Sequence, residues 1–351
     1  MQDDGETRAI GAGPLGWATM IENWTDPGER LLARSVFGTD DLGTARGMIL
    51  DWVAGQGFGR ARVAAVEISV GAVATVAPAG RPRIVVKVWP GSADARALAA
   101  QVEVQAAMAA RGYPAPAVLT RLSALGPGWA VAMAYDRAGV PTDARVPGVR
   151  RAMAEGLARF VAEAEACRGV DGLPRRPLPP EGALWPTPHN VLFDFGATAR
   201  GAEWIDEVAG PALRAMRSAG SRTVVGHRDW SAKNMRTGPG GIAVLYDWDA
   251  VSLDREAFVV GSAAAHFPVT WELDMPETPS AGEVAAFVRE YEEARGAPFT
   301  RPELAEVAAA ATYARAYKAR CEHALDPGGA RWRGSSREGL ERDGPYRFDR
   351  A

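Results

Sequence analysis

Asp229 and Asn234, a carboxylate and a carboxamide five residues apart, lie inside Val225-Gly226-His227-Arg228-Asp229-Trp230-Ser231-Ala232-Lys233-Asn234. An apolar run, Ile242-Ala243-Val244-Leu245-Tyr246, follows and ends in Asp247-Trp248-Asp249. Phosphoryl transfer asks a protein for just such groups: a carboxylate beside the attacking hydroxyl, oxygen ligands for magnesium, and a cation on the phosphates. Asp229 suits the first need. The oxygens of Asn234 and Asp247 suit a magnesium ion, which prefers carboxylate and carbonyl oxygen and keeps part of its water. Any one of these residues alone reads as an ordinary cap or turn residue. Their order, after a lysine and a glutamate in a β-rich region, is what points to chemistry.

The elements that must position them are legible in outline. Asp40-Asp41-Leu42-Gly43, followed by apolar residues at 45, 48, 49, 52 and 53, predicts a capped amphipathic helix ending near Gly55. Three β-rich runs, 62–70, 72–76 and 83–89, predict a meander with Gly71 at the first turn. A helix is expected over 92–111, stopped by Gly112-Tyr113-Pro114, then strands at 117–122 and 129–135. From about 146 the pattern turns helical, over 149–166, 202–219, 281–296 and 302–325, with a Pro-rich stretch at 173–188 and a hairpin turning at Gly238-Pro239-Gly240-Gly241. The expected division is an N-terminal extension (1–40), a small β-rich lobe (41–136), a larger helical lobe (137–330) and a mobile, charged tail (331–351).

His-x-Asp-x4-Asn at 227–234, the short hairpin and the Asp-x-Asp at 247–249 together resemble the aminoglycoside phosphotransferase and choline kinase family, a branch of the protein-kinase-like fold. The resemblance runs from about 45 to 325. It implies an α+β, bilobal fold: a small antiparallel β-sheet lobe with one helix, and a mostly helical C-terminal lobe. Position by position it implies Asp229 as catalytic base, Asn234 and Asp247 as magnesium ligands, Asp249 as a second ligand or orienting group, and His227 as a brace for the loop. Arg83-Ile84-Val85-Val86-Lys87-Val88 resembles the family's third strand, whose lysine contacts the α- and β-phosphates, and Glu103 its ion-pair partner. Met133 and Tyr135, in a strand that looks like the family's hinge, would edge the base of ATP or GTP. Ser69, beside Gly71, would sit at a looser phosphate cover than G-x-G-x-x-G. Trp271, Glu272 and Asp274 stand where the family builds its acceptor pocket, with Tyr317 and Glu322 as further candidates; acids beside an aromatic suit an ammonium group. Two departures stand out. Asp254 occupies the place of the first aspartate that usually follows Asp-x-Asp, while Val259 replaces the later one, so packing beneath the metal loop is expected to differ.

The implied reaction is transfer of the γ-phosphoryl group of ATP or GTP, with Mg²⁺, to a hydroxyl of a small polar, cationic acceptor such as an aminoglycoside or amino sugar, which would make the protein an antibiotic-resistance enzyme. The alternatives are a metabolic kinase of the choline, homoserine or methylthioribose type, and a catalytically silent nucleotide-binding protein. A protein kinase is disfavoured, because Ser231 stands where those enzymes carry lysine and no Ala-Pro-Glu follows.

Composition agrees. With 351 residues, 47% hydrophobic and 24% charged, the chain can fill two packed lobes. A net charge of −3 supplies no general attraction to nucleic acid or to anionic membrane. The acidic N-terminus lacks the pattern of a secretory signal, and no apolar run reaches the ~20 residues of a membrane span, so a cytoplasmic monomer or homodimer is expected. Cys167 and Cys321 read as buried thiols, and His189, His266 and His323 as structural.

Overall fold

The computed structural model describes residues 24, 26–175, 177–329 and 333–348, so residues 1–23 of the expected N-terminal extension lie outside it. The chain divides into two compact units. The first takes in residues up to 93, together with 123–135 and 271–274; the second holds 94–122, 136–270 and 275 onward.

Two helices open the first unit. α1 (Pro27–Phe37) falls in the stretch expected as an extension; Asp26 accepts from the N–H of Gly28 at 2.8 Å and of Glu29 at 3.2 Å, and Gly38 closes the helix at φ 72°. α2 (Leu42–Gly55) is the expected helix, capped by Asp41 through the Thr44 N–H at 2.6 Å. The strands β1 (Ala61–Ile68), β2 (Ala72–Pro78), β3 (Ile84–Trp89), β4 (Ser123–Leu125) and β5 (Gly128–Ala134) form one antiparallel sheet in the order β1-β2-β3-β5-β4. Period-two alternation decides its faces: Val86 and Val88 are fully buried, and Lys87 between them points to the other face, in register with Val73 and Val131. The expected strand at 117–122 does not form. Pro114 and Pro116 offer no N–H to a ladder just before it, and their carbonyls accept instead from the Leu245 N–H and the Gln105 amide.

In the second unit α3 (Ala95–Ala110), expected as part of the small lobe, packs with the helical residues. Its Gln101 and Gln105 are buried beside Val104 and Met108. α4 (Pro147–Ala164) and α5 (Glu203–Ser218) match the expected helices. β6 (Thr223–His227) pairs antiparallel with β9 (Val251–Arg255), and β7 (Met235–Gly238) with β8 (Gly241–Leu245). α6 (Glu256–His266) was not expected, whereas α7 (Ala281–Arg295) and α8 (Arg301–Leu325) were; the last two begin at full capping boxes, Ser280 with Glu283 and Thr300 with Glu303.

The tail expected to be mobile is instead folded from 333 to 348. α9 (Ser336–Asp343) buries Arg337 and Leu340, and the fully buried Arg315 of α8 reaches Asp343 at 3.0 Å while lying 4.2 Å from the Tyr346 ring centre. Ion pairing and a cation–π contact thus fasten a segment that composition alone reads as loose. Cys167 and Cys321 are buried free thiols. Among the described residues no helix is long and apolar enough to cross a membrane.

Candidate active site

Asp229 sits in the loop after β6, and an aromatic core beneath holds that loop. His227 has no exposed surface; its ring meets those of Phe160 and Trp230 edge-on at 6.1 and 5.8 Å, and its Nε2 donates to the Tyr246 carbonyl at 3.1 Å. The acceptor there is a carbonyl, so the proton belongs on Nε2. Trp230 is pinned by its indole N–H to the Met153 carbonyl at 3.1 Å. Arg228, between His227 and Asp229, lies 3.1 Å from Asp254 and over the Phe258 ring at 4.5 Å. Asp254 therefore braces the loop from β9. Val259 packs against Gly226, where a Cβ would come within 2.4 Å of its methyl group. The departure at 259 is filled by apolar packing that only glycine at 226 permits.

The loop is closed on itself. The Asn234 side-chain N–H donates to the Asp229 carbonyl at 2.8 Å, and the Tyr246 N–H donates to the Asn234 carbonyl at 2.7 Å, so Asp229, Asn234 and the residue before Asp247 are joined in one network. With its nitrogen committed, the Asn234 amide keeps its oxygen as the atom suited to a hard cation. Asp247 has φ 62° and ψ 44°, the only left-handed residue other than glycine among those described. Such a conformation is uncommon outside glycine and tolerated best by Asn and Asp, and it turns the chain sharply after β8 into the 3₁₀ turn Trp248–Ala250. Among the described residues no group of three or more His, Cys, Asp or Glu could hold a metal. An amide oxygen with one or two carboxylates fits magnesium, which takes its remaining ligands from water and substrate phosphates.

Sequence reasoning misses two participants, Lys233 and Gln101, and reads His266 as structural. Lys233 places its Nζ 2.8 Å from Oδ2 of Asp229, with the side chains 19% and 35% exposed. Burial opposes ionisation of Asp229, but the Lys233 ammonium, the Asn234 amide and His227 outweigh it and hold the carboxyl well below the usual carboxylate range. Burial likewise opposes the charge on Lys233, and Asp229, then Asp247 and Glu277, more than restore it. The i, i+4 spacing of Asp229 and Lys233 was the available signal. Gln101 of α3 donates to the carbonyls of Asp249 at 2.7 Å and Val251 at 2.8 Å, with no local trace in the sequence. His266 ends α6, and its Nε2 is buried without a hydrogen-bond partner; burial, with Lys318 nearby, pushes its pKa down to about 3, so the ring is neutral.

The remaining candidates are divided between the two units. Lys87 lies in the first unit with its Nζ 5.5 Å from the Trp89 ring centre. Glu103 is exposed on α3, two positions on from Gln101 and so roughly 200° round the helix. The Ser69 N–H donates to the Gly71 carbonyl at 2.7 Å, and a Cβ at 71 would lie 2.6 Å from the Val88 carbonyl oxygen. That glycine has a packing reason of its own. Met133 pairs with Val85, while β4 covers β5 only as far as Ala130; the Tyr135 N–H reaches the Arg83 carbonyl at 3.4 Å. Trp271, Glu272 and Asp274 fall in the first unit. Tyr317 holds the His189 ring at 2.9 Å through its hydroxyl, and His189 borders an open hollow of about 470 Å³ lined by residues 187–191 and 193–196. Glu322, expected to face an acceptor, does not. It is 1% exposed, and its carboxylate accepts from the N–H groups of Ser336 at 3.1 Å and Arg337 at 2.9 Å, capping α9.

Residues 68–307 match the model of the phosphotransferase enzyme family. Among solved structures, an amicoumacin kinase, described in complex with AMP-PNP, Ca²⁺ and Ami, superposes with a TM-score of 0.62 at 11% identity, covering 88% of this chain and 97% of that one. A putative aminoglycoside phosphotransferase from Ralstonia eutropha JMP134 gives 0.50 at 14% identity, covering 84% and 94%. Among curated proteins none matches the sequence.

Proposed function

Because the chain belongs to the phosphotransferase enzyme family, we propose that it moves the γ-phosphoryl group of ATP or GTP onto a hydroxyl of a small polar acceptor, an aminoglycoside or amino sugar, held beside Asp229. The observation that supports this reading is the closed network of the second unit, in which one residue, Asn234, ties the loop of Asp229, through its side-chain N–H, to the strand end that presents Asp247, through its main-chain carbonyl. The proposed base and metal ligands thus stand on the segments that flank one hairpin, β7–β8, which is the positioning that phosphoryl transfer needs.

Asp229 is ionised at neutral pH and partly exposed, so it can accept a hydrogen bond from the incoming hydroxyl and point its lone pair at phosphorus. Its lowered pKa makes it a weak base, which suits a reaction where the proton leaves late, once the new O–P bond is well formed. Asn234 and Asp247 would hold Mg²⁺, with Asp249 as orienting group or second ligand; when bound, the ion neutralises charge on the phosphates. Lys87 is assigned to the α- and β-phosphates, with Glu103 as its partner, and Met133 and Tyr135 to the base, on the order of these residues along the chain. His227 acts by supporting the loop, through Tyr246 on one side and the aromatic core on the other.

ADP or GDP formation over a panel of aminoglycosides, amino sugars, choline, homoserine and methylthioribose tests the proposal, with Asp229→Asn as control. Acceptor-dependent turnover lost in the control supports it. A chain that binds nucleotide with Mg²⁺ and turns over none of them is a silent binding protein.

A further inference from the structure

The ammonium nearest Asp229 comes from a position where its backbone cannot drift. Lys233 sits in the 3₁₀ turn Ala232–Asn234, where its N–H donates to the Val269 carbonyl at 2.7 Å and the preceding Ala232 N–H to the Phe267 carbonyl at 2.9 Å. The movable part is the four-carbon stem. Ser231 offers no cation; it is fully buried, with its Oγ 3.5 Å from Asp229 Oδ1. The negative charges of Asp247 and Glu277 add to that of Asp229 in favouring the charged form of Lys233.

Resting on the phosphotransferase reading above, we infer that Lys233 is a further catalytic residue, whose ammonium contacts the phosphoryl group as it passes to the hydroxyl at Asp229. A hydroxyl served by Asp229 lies about 2.6–3.2 Å from its carboxylate, and phosphorus must stand about 3–3.5 Å from that hydroxyl oxygen. An ammonium 2.8 Å from the same carboxylate is then within one swing of its stem from the equatorial phosphoryl oxygens. In the step, the hydroxyl oxygen forms a bond to the γ-phosphorus. The bond from that phosphorus to the β–γ bridging oxygen breaks, and its electron pair leaves with the nucleoside diphosphate. The hydroxyl proton goes to Asp229 and then to solvent. As it arrives, the carboxylate loses its charge and its hold on Lys233, just when negative charge needs a partner on the phosphoryl oxygens.

The test is calorimetric binding of ADP·Mg²⁺ with and without aluminium fluoride, a mimic of the phosphoryl group in flight, to the wild type and to Lys233→Met and Lys233→Arg. In the wild type, aluminium fluoride tightens binding. Lys233→Met should lose roughly 10²-fold of that gain, the cost of one donor to a developing oxyanion, while ADP alone binds within about threefold of wild type. Lys233→Arg should keep most of the gain. Should the Met variant fail to fold, Lys233→Gln keeps a donor to Asp229 without the charge and should show the same loss. A Met or Gln variant that keeps the full gain overturns the role, as does equal loss of ADP binding with and without the mimic. A wild type that binds no ADP·Mg²⁺ sinks the phosphotransferase reading, and Lys233's role with it.

Discussion

Gln101 of α3 donates to the main-chain carbonyls of Asp249, at 2.7 Å, and Val251, at 2.8 Å, so one buried amide closes the turn that follows Asp247. Gln101→Leu keeps the bulk and leaves both carbonyls without that donor. Stability should fall by about 2–4 kcal/mol, as for two buried acceptors deprived of a partner. The Mg²⁺ concentration for half-maximal activity should rise roughly tenfold, because a support behind the proposed metal ligand Asp247 is lost. Chemical denaturation and a Mg²⁺ titration read these separately, and a titration identical to wild type would reduce Gln101 to packing.

Removing the carboxylate at 229 should act on rate before binding. Asp229→Ala is expected to lower turnover by ~10²-fold or more with nucleotide affinity preserved. Asp229→Asn leaves Lys233 without its counter-charge, at a cost of about 1–2 kcal/mol, less than a fully buried pair because both groups keep some exposure. Because the folded-state pKa is depressed, the stability of the ion pair is present above the unfolded value of 3.8 and lost only as pH falls through the lower folded one. The difference in melting temperature between wild type and Asp229→Asn should therefore stay flat across neutral pH.

Asp247 combines a backbone demand with a chemical one, and substitutions separate them. Asp247→Asn tolerates the left-handed conformation and removes the charge, so it should weaken Mg²⁺ dependence and activity while leaving the melting temperature nearly unchanged. Asp247→Ala should lose the same activity and a further ~1 kcal/mol or more of stability, the strain of a left-handed alanine. If Ala and Asn variants melt together, the φ of 62° carries no cost.

Glu322 predicts a pH effect on stability remote from catalysis. Burial pushes its carboxyl from 4.5 up to about 7, against Lys318 and the two N–H groups it caps. A raised folded pKa means the folded state holds the proton longer, so stability from this group is greatest below the unfolded value and falls as pH rises to about 7. The loss is on the order of 3 kcal/mol when complete. Glu322→Gln cannot ionise, so denaturation midpoints compared from pH 4.5 to 8 should show the variant gaining on wild type over this range. Parallel curves would refute it.

What was legible in the sequence was local. Asp229, Asn234 and Asp247 fall within one hairpin, and the capped amphipathic helices carry their own start signals. α6 escaped because every residue from Glu256 to Ala265 is buried, which leaves no polar face to give a 3.6-residue stripe. α9 escaped for the opposite reason: Ser336-Arg337-Glu338-Gly339-Leu340-Glu341-Arg342-Asp343 carries a single apolar side chain, Leu340, and is held by Arg315 and Glu322, both on α8. Gln101 lies 148 residues from Asp249, and no window along the chain joins them.

The docking of α9 also bears on the order of events during synthesis. Arg315 and Glu322 are buried on α8, yet the partners that satisfy them lie between 336 and 343. Until those residues have left the ribosome, α8 carries two charges that cannot be desolvated without penalty. Because α6 packs along α8 and leads back to the loop that holds Lys233, the hairpin of Asp229 is expected to gain its full support only once residue 343 has emerged, although its own residues emerge much earlier.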